Sequence, residues 1–145
     1  MPTLADLQAQ MADPNPAIAI PAANALTNYF VIYNDEYNTL LTKRHEAETR
    51  LFDVSHDPNG IDHAEVFSLQ SLILGTESRM KIQDGMMIAF QASGLSIAPP
   101  SADLVAQVRQ LSAAVSAIAA AGEGIKAIME GLGQIAGLIN QVQAG

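Results

Sequence analysis

The last third of the chain carries the sequence feature that most constrains its fold. From Leu104 to Ile139, apolar residues recur at alternating spacings of four and three. A helical turn takes about 3.6 residues, so this spacing puts them on one stripe of an α-helix and is typical of helices that pack side by side. The pattern predicts a helix over about 103–142, with Ser101 as its N-cap.

Two earlier segments show the same alternation and predict two more long helices, over about 22–52 and 62–93. The loop between them contains Pro58, Asn59 and Gly60 and is short, which favours an antiparallel helical hairpin. Every strong periodicity in the chain is helical. The predicted fold class is therefore all-α: a long hairpin packed with an Ala- and Gly-rich C-terminal heptad helix.

The first 21 residues predict an N-terminal arm. Thr3 and Asp6 are placed as a capping box for a short helix over 3–12, and the prolines at 14, 16 and 21 predict an extended connector after it. We expect residues 22–145 to form a single helical domain. On this interpretation, the arm is free to reach a neighbouring subunit.

Glycines are concentrated in the predicted last helix. Five of them fall within sixteen residues and cost about 4 to 5 kcal/mol of helix propensity: Gly122, Gly124, Gly131, Gly133 and Gly137. Close approach of a second backbone offsets such a cost, and it is predicted at Gly122, Gly133 and Gly137. The alternative is a helix that breaks near Gly122 or Gly131 and forms a compact four-helix bundle.

The loop between the first two long helices is acidic. Asp53, Ser55 and Asp57 supply oxygen side chains at its first, third and fifth positions, and Asn59 and Glu65 follow. In this respect it resembles the calcium-binding loop of EF-hand proteins, which implies weak calcium binding by these five residues. The EF-hand motif has Gly sixth and Glu twelfth, whereas here Pro58 is sixth and Glu65 is thirteenth.

The favoured interpretation of this loop is structural. It predicts a turn over 57–60, an N-terminal cap formed by Asp62 and Glu65, and no metal. His45, His56 and His63 are interpreted as a surface cluster, whose titration near neutral pH would suit a pH-responsive protein. Lys43 and Arg44 are expected on a solvated helix face, with an ion pair between Glu46 and Arg50.

Composition excludes several function classes. The chain has 15 acidic and 7 basic residues, a net charge of −8, which disfavours nucleic-acid binding. It has no cysteine, hence no thiol nucleophile and no Cys-ligated zinc. No motif marks a catalytic site or a cofactor, so we expect no enzyme. Neither a Sec-type signal peptide nor a membrane-spanning helix is predicted, which indicates a cytoplasmic protein or export by a signal-independent route.

The sequence favours a non-enzymatic, self-assembling structural or interaction protein. The predicted contacts between its copies lie on the C-terminal heptads: Leu104, Val108, Leu111, Val115, Ile118, Ile125, Met129, Leu132 and Ile139. The first alternative is a membrane-active helical protein, such as a pore-forming or secreted translocation factor, with a lipid bilayer as its partner. The second is a helical adaptor that responds weakly to calcium or to pH and binds another protein.

Overall fold

A computed structural model describes residues 1–143, which form five α-helices and no β-strand. The helices are α1 (Leu4–Met11), α2 (Pro16–Ser55), α3 (His63–Gln91), α4 (Ala102–Ser116) and α5 (Gly124–Gln143). The predicted all-α class is confirmed. The central helix is α2, which contacts each of the other four.

The predicted Pro-rich connector is wrong over most of its length, because α2 begins at Pro16 and includes Pro21. The side chain of Asn15 caps this helix by accepting a hydrogen bond from the backbone of Ala17. Pro16 occupies the first helical position, where a missing N–H costs nothing. Pro16 therefore starts the helix, and Pro21 is accommodated inside it.

The N-terminal arm packs on its own chain. Thr3 and Asp6 form the predicted capping box of α1, and Leu7 is buried against the core. The backbone N–H of Ala5 donates to the Ser93 hydroxyl, and the carbonyl of Pro2 accepts from Ile97. These contacts correct the expectation of an arm that is free to reach a neighbour.

Helices α2 and α3 pack together as the predicted hairpin, with an aromatic cluster near the open end. Tyr29 and Phe90 are fully buried with ring centroids 4.7 Å apart, and Phe30 packs edge-on against Phe90. Helix α3 ends with Ser93 in a left-handed conformation at φ 57°, one residue before Gly94. The Ser93 hydroxyl accepts the hydrogen bond from Ala5 of α1, which a glycine at this position could not do.

The prediction of one continuous C-terminal helix is wrong. The chain leaves the helix after Ser116 and re-enters it at Gly124, and Gly122 has a φ of 56°. A side chain at Gly124 would collide with the carbonyl of Ala119. The alternative break near Gly122 therefore describes the fold correctly, and α5 runs back along α4.

Charged residues of the hairpin hold this break in place. Lys43 is only 1% exposed, and its ammonium group donates to the carbonyls of Ser116 at 3.3 Å and Ile118 at 2.7 Å. A carboxylate oxygen of Glu65 accepts from the backbone N–H of Gly122 at 3.3 Å. Carbonyls at a helix C-terminus lack intrahelical partners and attract cations. The hairpin thus supplies the groups that make termination of α4 favourable.

Candidate interaction surface

Helix α3 is apolar on two faces, and only one of them is covered. Leu69, Leu72 and Met80 are buried in the core. Four large apolar side chains on the other side are exposed: Phe67 (70%), Leu74 (63%), Ile82 (51%) and Ile88 (68%). A globular helix usually has a single apolar stripe that faces the core, so a second apolar face suggests a second packing partner.

Small residues separate these large ones. The exposed face, here called the α3 outer face, follows the heptad spacing and comprises Phe67, Ser71, Leu74, Ser78, Lys81, Ile82, Gly85 and Ile88. Lys81 is its only charged side chain. A side chain added at Gly85 would meet nothing within 4 Å in its own chain. The chain's own packing therefore gives no reason for glycine at that position.

Buried polar contacts fix which side of α3 points outward. Glu36 on α2 is 1% exposed and accepts from the Arg79 guanidinium at 2.9 and 3.0 Å, and it also accepts from the Gln83 amide. Arg79 further donates to Asn140 on α5 at 2.9 Å. A bidentate Arg–carboxylate pair is geometrically specific. It therefore sets the rotation of α3 against α2 and α5.

A tyrosine next to this ion pair strengthens the same alignment. The Tyr33 hydroxyl donates to the backbone carbonyl of Gln83 at 3.2 Å. Burial, with a smaller contribution from Asp84, raises the pKa of Tyr33 to about 12. Tyr33 therefore stays neutral and keeps donating this hydrogen bond throughout the physiological pH range.

An apolar groove of about 180 Å³ runs between α3 and α5 beside the outer face. Its walls carry five apolar side chains, two glycines and three polar residues: Leu40, Leu72, Met129, Leu132, Ala136, Gly75, Gly133, Ser71, Thr76 and Arg79. Side chains added at Gly75 or Gly133 would meet nothing within 4 Å. Ser71 belongs to both features, so the groove widens the apolar surface of α3.

The structure divides the predicted self-association residues into two groups. Val108, Val115, Ile125, Leu132 and Ile139 are buried in the core that α4 and α5 form with the rest of the chain. Leu104, Leu111 and Ile118 pack partly against that core, and Met129 is 41% exposed. Most of the heptad stripe is thus covered within one chain, while Met129 and Leu132 also line the groove.

The glycines predicted for close helix packing do not serve it within residues 1–143. Added side chains at Gly122, Gly133 and Gly137 would meet nothing within 4 Å. Gly131 has the close contact, because a side chain there would collide with Val115 of α4. Close packing therefore occurs in this segment, but at Gly124 and Gly131 and not at the three predicted glycines.

The acidic loop forms the predicted turn and cap. The Asp57 side chain accepts from Asn59, and Asp62 caps α3 by accepting from the backbone of Glu65. The Glu65 carboxylate instead binds Arg50 on α2 at 2.7 and 3.3 Å, and this hydrogen bonding lowers the pKa of Glu65.

The first two oxygen-bearing positions of the loop are part of a helix. Asp53 and Ser55 lie in the last turn of α2. Among residues 1–143, no three His, Asp or Glu side chains are grouped so that they could hold a metal ion.

His45, His56 and His63 are each exposed, and their grouping as a cluster stays a prediction. Two other electrostatic expectations turn out differently. The predicted solvated position of Lys43 is wrong, since this side chain is buried at the end of α4. Arg50 pairs with Glu65 instead of Glu46. Spacing along one helix could not reveal these partners, which belong to other helices.

No known family model, curated protein or solved structure matches the chain. Among the described residues, no helix is both long and apolar enough to cross a membrane. The exposed surface of the described residues is therefore the basis for assigning a function. The alternating spacing predicts a single apolar stripe on α3, and the second stripe is recognisable only once the first is known to be buried.

Proposed function

We propose that this protein is a non-enzymatic interaction protein that self-associates through the α3 outer face. The observation that carries the proposal is the exposure of Phe67, Leu74 and Ile88, which lie seven and fourteen residues apart on one face of α3. Exposed apolar patches of this kind mark interaction sites. The heptads of α4 and α5, from which self-association was predicted, contribute mainly to the core.

A second copy is the partner that this surface suits best. Apart from Lys81, the face carries no charge, so two copies can meet there despite a net charge of −8 on each chain. Scattered acidic residues elsewhere remain in solvent, where salt screens their repulsion. An acidic or basic partner would instead need complementary charges on the α3 outer face.

The size of the face predicts a weak, reversible complex. Helix α3 has 29 residues, so it is about 43 Å long and about 10 Å across, and two copies would bury roughly 800 Å². Specific interfaces usually bury at least about 1,000 Å². The adjoining groove supplies part of the difference, and we expect dissociation constants in the micromolar range.

A matched pair of substitutions tests the proposal. Leu74→Glu places a charge in the middle of the face, whereas Leu41→Glu makes the same change at a 44% exposed leucine on α2. Light scattering should find that the parent and Leu41→Glu form dimers at high concentration and that Leu74→Glu remains a monomer. A charge buried without a partner costs several kcal/mol. Each 1.4 kcal/mol weakens binding tenfold, so the dissociation constant of Leu74→Glu should rise from the micromolar range to above the concentrations used in the assay.

Two outcomes would contradict the proposal. A parent chain that is monomeric at all accessible concentrations would show that the face does not bind a second copy. If that monomer co-sedimented with phosphatidylcholine vesicles and Leu74→Glu did not, the face would be a lipid-binding surface. Equal masses for the two variants would show that copies meet elsewhere.

A further inference from the structure

The order of large and small residues on the α3 outer face indicates how two copies are arranged. We infer that the copies pair as antiparallel α3 helices about a two-fold axis at the level of Thr76. This inference rests on the proposed self-association and adds its geometry. Thr76 itself is buried on the opposite side of the helix, so it marks only the position along the axis.

Three of the four large apolar residues of the face have a small residue at the same distance on the other side of Thr76, and the fourth, Ile82, has Gln70 there. Phe67 lies nine residues before Thr76, and Gly85 lies nine residues after it. Leu74 and Ser78 are two residues away on either side, and Ala64 and Ile88 are twelve. In an antiparallel pair, residues at equal distances from the axis meet at the same level. Phe67, Leu74 and Ile88 therefore face small side chains, as closely packed helices require.

A parallel pair would fit the same residues poorly. Each residue would then face its own copy, so Phe67 would crowd Phe67 while Gly85 faced Gly85 across a gap. Voids and overcrowding both weaken packing. The open space at Gly85, which its own chain leaves unused, is filled only in the antiparallel arrangement.

Electrostatics favour the same register. The two copies of Lys81, five residues beyond Thr76, are separated by ten residues along the axis, which is about 15 Å. That distance exceeds the Debye length at physiological ionic strength, about 8 Å. The methylene stem of each Lys81 can cover apolar surface while its ammonium group stays in water.

Cysteine pairing in this cysteine-free chain tests the register directly. Phe67→Cys and Gly85→Cys are made as separate chains, and each is oxidised alone and in an equimolar mixture. In the antiparallel pair, residue 67 of one copy lies about 27 Å from residue 67 of the other. A disulfide needs Cα atoms within about 7 Å. The mixture should therefore form covalent heterodimers, and each chain alone should form none.

One native Phe67–Gly85 contact survives in the mixed dimer, since each chain carries only one substitution. Light scattering on the reduced mixture fixes the concentration at which it is dimeric, and oxidation is done there. Circular dichroism checks that both variants keep the parent's helical content.

The possible failures are distinguishable. Covalent homodimers of Phe67→Cys alone would overturn the antiparallel arrangement in favour of a parallel one. Dimers that form without any cross-link in the mixture would overturn the register while leaving self-association intact. A parent chain that is monomeric by light scattering would overturn the proposed function itself.

Discussion

Replacing Lys43 by methionine should show how much this side chain stabilises the break between α4 and α5. Its ammonium group lies 2.7 Å from the carbonyl of Ile118, 3.3 Å from that of Ser116 and 2.8 Å from the Glu46 carboxylate. Methionine keeps most of the apolar stem and removes every one of these hydrogen bonds.

The magnitude follows from what is left unpaired. A hydrogen bond to a charged group contributes about 1.5 to 3 kcal/mol. The contact with Ile118 is short and the one with Ser116 is long, so we assign them about 3 kcal/mol together. Glu46 is partly exposed and is rehydrated when Lys43 is lost, so it adds little. Lys43→Met should lower the free energy of unfolding by about 3 kcal/mol, or the melting temperature by about 10 °C.

Urea denaturation followed by circular dichroism gives the free energy of unfolding, with Lys126→Met as control. Lys126 is an exposed lysine on α5, and its replacement should change stability by no more than about 0.5 kcal/mol. If Lys43→Met is as stable as the control, the carbonyls of Ser116 and Ile118 have other partners. A continuous helix through residues 117–123 would supply such partners, and the account of the break would be wrong.

Two further predictions concern the same end of the molecule. Gly124→Ala should lower the free energy of unfolding by about 1 to 3 kcal/mol, because the added side chain would meet the carbonyl of Ala119. Gly133→Ala should raise it by about 1 kcal/mol through helix propensity. Equal melting temperatures for the two variants would contradict this prediction. Pairing with Arg50 holds the pKa of Glu65 below its ordinary value of 4.5, so its stabilisation is complete above pH 4.5 and is lost as pH falls through the lowered pKa. Glu65→Gln should therefore melt below the parent at pH 7 and together with it in strong acid, and a constant difference across this range would refute the assignment.

Local sequence signals predicted much of the fold. The capping box at Thr3 and the N-caps at Asp62 and Ser101 are where they were expected. These signals could be read because each depends on residues three or four positions apart. The hairpin and the all-α class were likewise evident from periodicity.

The end of α4 could not be predicted in the same way. The heptad stripe continues through Ile118 and Ile125 without interruption, so periodicity alone predicted one helix. The decisive groups, Lys43 and Glu65, are more than fifty residues away in sequence. Tertiary contacts that satisfy helix ends override local propensity, and they have no local signature.

The candidate surface was missed for a related reason. Periodicity identifies apolar residues but does not say whether the chain itself covers them. The strongest stripe, on the last two helices, is mostly internal, while the weaker second stripe of α3 is exposed. Only the packing of α3, fixed by Glu36 and Arg79, decides which of its faces remains available.

The central claim is that the α3 outer face becomes buried when two copies meet. Phe67→Trp gives this tryptophan-free chain one fluorescent reporter on that face, and Phe52→Trp places a matched reporter on α2, where Phe52 is 64% exposed. As protein concentration rises through the micromolar range, the emission maximum of Phe67→Trp should move to shorter wavelength while that of Phe52→Trp stays constant. An emission maximum of Phe67→Trp that is independent of concentration, in a sample whose mass shows dimers, would contradict the claim.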